Sequence, residues 1–407
     1  MSVGGSGKRP TGRPAGGAAR SHPGAESGRL AERAGAVLAG GVTRGTVYVP
    51  PHPPYLRSGR GFEVVDEDDH HLIDAQNNYT TLVHGHAHPE VVEAATAAVS
   101  QSSCFGLPTR WEVELAEHLQ ARLPALERIR FANSGTEAVM TAIRVARRAT
   151  ERTHVLRFGG AYHGAYDAVV DTGGVSPGMA SETVTVPFGD VEALRAAVRR
   201  HGDALACVLL DLMPNRAGLR PASLEFATAV QEEAERCGAL LVVDEVITAR
   251  LTPAGLHSDY ALRPDLVTLG KMVGGGFPIG VLGGRADVMS VVSPGAERPV
   301  GHGGTFTANP VTMRAGLAAM ACFDEAEVRR LNALGDRLRE QLSQLGHVVT
   351  GRGSLLRLHP RRPMAEQWWA LYEAGVLVAG NGLMALSTPM TETAVDELVS
   401  RFEGIVP

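Results

Sequence analysis

Lysine is almost missing from this chain. Of its 39 Lys and Arg residues, only Lys8 and Lys271 are lysine. Lys8 lies in a Gly/Pro/Ser/Arg-rich leader, so the folded part keeps one lysine where arginine serves everywhere else. Other scarcities narrow the function. The four cysteines (Cys104, Cys207, Cys237, Cys322) stand without CxxC spacing. That argues against a disulfide framework or a metal site and fits a reducing cytoplasm. No apolar run approaches the length that spans a bilayer. No basic block lies beyond the leader and the formal net charge is -5, which argues against nucleic acid or an anionic membrane as partner. The first 28 residues lack the apolar segment of a secretory signal and read as a disordered tail.

What is present is ordinary for a globular protein: 44% apolar and 20% charged residues over 407 positions, enough for a large domain and a smaller one. The chain divides into the tail (1–28), an N-terminal segment with a hairpin (29–75), a large domain (76–310) and a small C-terminal α+β domain (311–407). GRLAERAGAVLAGG (28–41) has helical character, 44–54 is Pro-rich and extended, and GFEVVDEDDHHLIDA (61–75) reads as a hairpin. Strands and helices then alternate. RIRFAN, HVLRFGG, ALACVLLDLMP, ALLVVDEV and DLVTLG are apolar strands separated by amphipathic helices. That pattern predicts an α/β fold with a mostly parallel sheet covered on both faces. A weak strand signal at LLRLHP and VLVAG marks the C-terminal domain.

Ligands of such sheets collect at the carboxyl ends of the strands, and four features fall there. NSGTEAVM (133–140) places Ser134, Gly135 and Thr136 where a strand gives way to a helix, a seat for phosphate. The same residues also compose a capping box with Glu137. Asp244 ends the apolar strand of VVDEV, where a carboxylate needs a cationic partner such as a protonated ring nitrogen, or else caps a turn. Lys271 follows DLVTLG and precedes three glycines. A buried amine can lose its proton and form a Schiff base, which a guanidinium cannot. Tyr162 in YHG can stack on a flat ring, and His163 either orients that ring or packs behind it. Phosphate seat, ring-nitrogen acid, Schiff-base lysine and stacking aromatic together specify pyridoxal phosphate.

The sequence resembles the class III, fold-type-I pyridoxal-phosphate aminotransferases, especially the branch around glutamate-1-semialdehyde aminomutase. The likeness is carried by GHAHPEVVEA, FGLPTRWEVELAE, RFANSGTEAVMTAIRVAR, FGGAYHG, VVDEVIT, LVTLGKMVGGGFPIGVLGGRADVM and GGTFTANPVTM, in that order. It implies a fold-type-I architecture and these roles: Ser134, Gly135 and Thr136 on the cofactor phosphate, Tyr162 and Val246 on the two ring faces, and Asp244 on the pyridine nitrogen. Lys271 would be covalent anchor and proton carrier. Thr305 resembles the residue that relatives lend to the partner subunit's phosphate, which implies a homodimer with shared sites.

The chain departs from the aminomutase pattern at Val47, where relatives carry arginine, at Tyr79, where tryptophan is usual, and in GVLVAGNGLMALS (375–387), which has no carboxylate. What remains, Arg44 in GGVTR followed by NNYT, resembles relatives that transaminate β-amino carboxylates. Arg44 would then bind a substrate carboxylate, with Asn78 and Tyr79 beside it, or else be a surface arginine of a mobile loop. Arg250 is a second candidate clamp, or a structural ion pair. The expected activity is transfer of an amino group from a donor to a keto acceptor. The alternatives are intramolecular amino transfer and a cofactor-binding protein without turnover.

Overall fold

Residues 25–28, expected in the tail, belong instead to a helix at Ala25–Val37. Its first turn is held by Asp68, whose carboxylate accepts from the backbone N–H groups of Glu26 (2.8 Å) and Ser27 (3.0 Å). That cap comes from the hairpin turn some forty residues later and leaves no local sequence signal. The computed structural model describes residues 24–170 and 173–406; the rest of the expected tail, 1–23, lies outside them.

Strands β1 (Leu56–Arg60), β2 (Glu63–Asp66) and β3 (His71–Asp74) form an antiparallel meander that contains the expected hairpin. The large sheet follows: β4 (Arg128–Ala132), β5 (His154–Phe158), β6 (Thr183–Val186), β7 (Leu205–Leu210), β8 (Leu240–Asp244), β9 (Leu266–Gly270) and β10 (Gly280–Gly284). Its order is β4-β10-β9-β8-β7-β5-β6. β10 runs antiparallel to both its neighbours, and the other pairings are parallel. Successive residues alternate between the two faces, as the pleat requires. Val208 and Leu210 pack toward helix Leu224–Cys237, whereas Cys207 and Leu209 pack toward helix Gly135–Thr150.

β6 and β10 differ from the sequence reading, which left both segments without a strand. β10 is GVLGG, and its glycines answer to neighbours rather than to a turn. A Cβ on Gly280 would lie 2.0 Å from the Ser134 carbonyl oxygen, and one on Gly284 would lie 2.2 Å from that of Asp265. β6 is a short edge strand of alternating Thr and Val, too polar to stand out.

Beyond the sheet, β11 (Val349–Arg352), β12 (Leu355–Leu358) and β14 (Leu383–Ala385) form a second, three-stranded sheet. β13 (Val376–Leu377), part of the weak VLVAG signal, does not join it. It pairs in parallel with β3, Val376 against Ile73, so the N-terminal hairpin and the C-terminal region share one four-stranded sheet. The carboxyl ends of β4, β5, β7, β8 and β9 open on a cavity of about 830 Å³, closed on its other sides by 44–48, 78–81 and the C-terminal region.

Candidate active site

The floor of the cavity is built from strand ends. After β4, Ser134 caps helix Gly135–Thr150: its Oγ accepts from Glu137 N at 3.2 Å, while the Glu137 carboxylate accepts from Asn133 N at 2.7 Å. With Ala138 N bonded to the Ser134 carbonyl, the amides of Gly135 and Thr136 remain as the helix's orphan donors, at its positive end. The capping box thus leaves free the two amides that a phosphate seat would use, so the two readings are compatible. Gly164 sits against it at φ +99°, and a Cβ there would meet Thr136 Oγ1 at 2.4 Å. Only glycine tolerates that approach.

At the end of β8, Asp244 is 5% exposed and fully engaged. Its Oδ2 accepts from His163 Nδ1 at 2.7 Å, and its Oδ1 accepts from Thr268 Oγ1 and Val246 N, each at 3.1 Å. His163 is therefore a buried partner of the carboxylate, and its Nε2 is buried with no partner among the described residues. Asp211, just past β7, joins this cluster. Burial first, and then the neighbouring Asp244 charge, push its carboxyl up to about 7, although Met213 N donates to it at 2.8 Å. Nothing in the run ALACVLLDLMP separates Asp211 from an ordinary strand end.

Lys271 leaves β9 in the left-handed region, φ +49°, unusual for a residue with a Cβ. Its side chain keeps partial contact with the cleft. The surrounding protein still lowers its pKa to about 8, against the attraction of Asp244 and Asp211. Tyr162 faces the cavity half-exposed, with the Arg216 guanidinium 4.6 Å from its ring centroid on one side. Val246 lines the cavity as well, and its methyls fill the space above Gly135, where a Cβ would meet them at 3.1 Å.

The mouth is built by the N-terminal segment. Residues Asn77, Asn78, Tyr79 and Thr80 all have positive φ, between +48° and +76°, one turn of left-handed helix. Such a turn costs about 1–2 kcal/mol per residue, so it persists only where its surroundings impose it. It presents Asn78 and Tyr79 to Arg44, whose Nη1 donates to Asn78 Oδ1 at 2.9 Å and whose guanidinium lies 6.0 Å from the Tyr79 ring centroid. Tyr79 OH donates to the Thr46 carbonyl, which ties the Arg44 segment down.

Arg250 and Thr305 lie outside this cavity. Arg250 is 1% exposed and does not line the cavity; it donates to Ser354 Oγ (3.1 Å), Thr80 O (3.4 Å) and Leu386 O. It is a buried tie between the turn after β8, the left-handed turn and the C-terminal region. It lies outside the candidate substrate cleft and pairs with no acid among the described residues. Thr305 is exposed and outside the cavity of its own chain, its carbonyl accepting from Cys104 Sγ at 3.5 Å. Arg216 and Arg357, which no motif marks, do line the cavity.

The arrangement fits a phosphorylated pyridine aldehyde: orphan amides at one end, an engaged carboxylate at the other, a lowered-pKa amine between them and an aromatic face alongside. The family model for class-III aminotransferases matches residues 49–406. The chain belongs to that family. As a class-III aminotransferase it is a pyridoxal-phosphate-dependent transaminase of fold type I. It is similar to a transaminase solved with PLP bound, at 40% identity and TM-score 0.91 over 93% of this chain and 96% of that one. It is also similar to a β-phenylalanine aminotransferase from Variovorax paradoxus, at 32% identity and TM-score 0.87 over 93% of each chain. Among curated relatives, the glutamate-1-semialdehyde 2,1-aminomutase of Rhodopirellula baltica is 33% identical over 96% of this chain and 98% of its own. Among the described residues, no helix of this aminotransferase is long and apolar enough to cross a membrane.

Proposed function

We propose that the aminotransferase moves an amino group from a carboxylate-bearing amine to an oxo-acid acceptor, with the donor carboxylate on Arg44. The observation that carries this is the Arg44–Asn78–Tyr79 group at the cavity mouth: a guanidinium fixed by a neutral amide and an aromatic ring, with no carboxylate partner among the described residues. Such a group is pre-organised for a planar anion. The likeness to a β-phenylalanine aminotransferase points the same way, to a β-amino carboxylate donor.

Pyridoxal phosphate, when bound, supplies an electron sink. Ser134 and the amides of Gly135 and Thr136 would hold its phosphate, Tyr162 and Val246 would cover its ring, and Lys271 would be its covalent anchor. The Asp244 carboxylate, oriented by His163 and Thr268, keeps a proton on the ring nitrogen. Lys271 Nζ, an amine whose pKa burial lowers to about 8 in the free chain, would carry the proton from the amino-bearing carbon and back. The cleft lies where the large domain (76–310) meets the N-terminal segment and the small domain (311–407).

The functional unit is a cytoplasmic homodimer in which Thr305 serves the partner's phosphate. Thr305 is exposed in a single chain beside exposed Phe306, and the Cys104 contact brings exposed Phe105 and Leu107 near it. Four free cysteines fit a reducing compartment. Intramolecular amino transfer is less well supported by this cleft. Segment 375–387 contributes Gly380, Asn381 and Leu383 to its wall, and none is acidic.

The test is purified enzyme with a β-amino carboxylate and pyruvate, followed by release of the keto product. Transamination is expected, and Arg44→Gln should raise the donor KM about 10- to 100-fold with little change in kcat. Isomerised amine formed without any acceptor would establish the mutase activity instead.

A further inference from the structure

Two consecutive tryptophans on one helix bond to both walls of the cleft mouth. Helix Met364–Glu373 carries Trp368 and Trp369, whose rings meet edge to face at 4.9 Å. Trp368 is buried, and its Nε1 donates to the Val378 carbonyl at 2.8 Å. Just beyond Val378, Gly380 and Asn381 line the cavity. Trp369 is only half-buried, and its Nε1 donates to the Pro50 carbonyl, also at 2.8 Å. Pro50 follows the segment that brings Arg44, Gly45, Thr46 and Tyr48 to the same cavity. The two walls adjoin there: a Cβ on Gly380 would lie 3.7 Å from the Thr46 carbonyl oxygen and 3.9 Å from Val49 Cγ2.

Little else holds this segment. Of residues 41–50 only Val49 is buried, in the core cluster that also contains Trp368, Tyr372 and Val378. Bonds within the segment close a single turn, Val47 N to the Arg44 carbonyl and Tyr48 N to that of Gly45. Two side chains from outside pin its backbone among the described residues, Tyr79 at the Thr46 carbonyl and Trp369 at the Pro50 carbonyl. A surface segment with so few pins opens readily when one is removed.

We infer that Trp369 is a positioning residue for the donor site. By fixing Pro50 it holds 44–50 against the wall at 378–381, and so fixes where the Arg44 guanidinium meets a carboxylate. The inference rests on the reading of Arg44 as the carboxylate clamp and adds to it the remote residue that pre-organises that clamp. Trp369 does not line the cavity, so its effect passes through the segment.

Trp369→Phe removes the N–H donor and keeps an aromatic ring against Trp368 and Tyr372. Wild-type and variant holoenzyme are compared by deuterium uptake and by calorimetric titration with 3-phenylpropionate, a carboxylate with no amine to transfer. Exchange over residues 42–50 should rise about 2- to 10-fold, the effect of one lost hydrogen bond, with the hairpin at 56–74 unchanged. Affinity for 3-phenylpropionate should fall by a similar factor. In turnover the donor KM should rise about as much, with kcat, cofactor affinity and melting temperature little altered. Unchanged exchange over 42–50 overturns the tether. Faster exchange with undiminished 3-phenylpropionate affinity overturns the positioning role, and so does a loss shared by kcat, cofactor affinity and melting temperature. Arg44→Gln separates this inference from the reading beneath it. If that variant binds the acid as tightly as wild type, the carboxylate clamp fails and takes the role of Trp369 with it. If it binds weakly while Trp369→Phe binds normally, only the role of Trp369 falls.

Discussion

At the scale of single residues, the scarce lysine is where composition and chemistry meet. The cleft lowers Lys271 from 10.5 to about 8, a change that arginine, with its far higher pKa, could not turn into a usable neutral amine. Between about pH 8 and 10.5 the unfolded chain keeps this proton and the folded apoprotein has released it. The burden that Lys271 places on stability is therefore full below pH 8 and fades as pH rises through that window. The same titration governs its reactivity. We expect the rate at which apoprotein takes up pyridoxal phosphate to rise with pH and level off just above 8; a rise continuing beyond 10 would mean an unperturbed lysine. Lys271→Ala should abolish the lysine-bound absorption band and lower turnover by about a thousandfold or more. Lys271, Asp244, Tyr162 and residues 134–136 were legible as candidates because each stands at a strand end, and folding brings them to one cavity. Asp211, Arg216 and Arg357 were not, because an acid after a strand and two arginines in an arginine-rich chain look ordinary until folding lines one cavity with them.

At the scale of elements, the phosphate seat depends on a strand that periodicity could not find. β10 passes beneath Ser134 so closely that Gly280 has no room for a Cβ. Gly280→Ala should lower stability by about 1–3 kcal/mol through overpacking and also weaken cofactor affinity, because the displaced atom is the carbonyl that starts the helix. Gly295→Ala, where nothing lies within 4 Å of the new Cβ, is the control. Thermal melting and cofactor titration read the two effects, and a Gly280→Ala enzyme matching that control would refute the tight-approach argument. The left-handed turn at 77–80 makes the same point. Asn-Asn-Tyr-Thr carries no glycine to announce it, and its conformation is imposed by packing and by bonds such as that from Arg250 to Thr80 O. Helices, by contrast, followed their sequence signals closely. The amphipathic segments expected between the strands include Gly135–Thr150 and Leu224–Cys237, capped by Ser134 and Ser223.

At the scale of the whole molecule, the cleft is assembled from parts far apart in sequence. β13 binds the C-terminal region to the N-terminal hairpin, Arg250 ties the left-handed turn to Ser354 and Leu386, and Arg44 arrives from a segment before the first strand. A single chain leaves Leu107 80% and Phe306 65% exposed near Thr305, a surface suited to a second copy. Leu107→Asp and Phe306→Asp together should weaken dimerisation by about 100-fold or more, since each places a charge in an apolar contact. Light scattering should then find monomers, and cofactor affinity should fall with them; a dimer of undiminished affinity would rule this face out. The sequence by itself determined the class of chemistry, because a deprotonatable amine, a ring-nitrogen acid and a phosphate seat are local requirements written as residue types at strand ends. Tertiary structure alone decided which arginines line the cavity. That depends on which side chains fold leaves without acids around a common cavity, and charge pairing over such sequence distances has no periodicity to read.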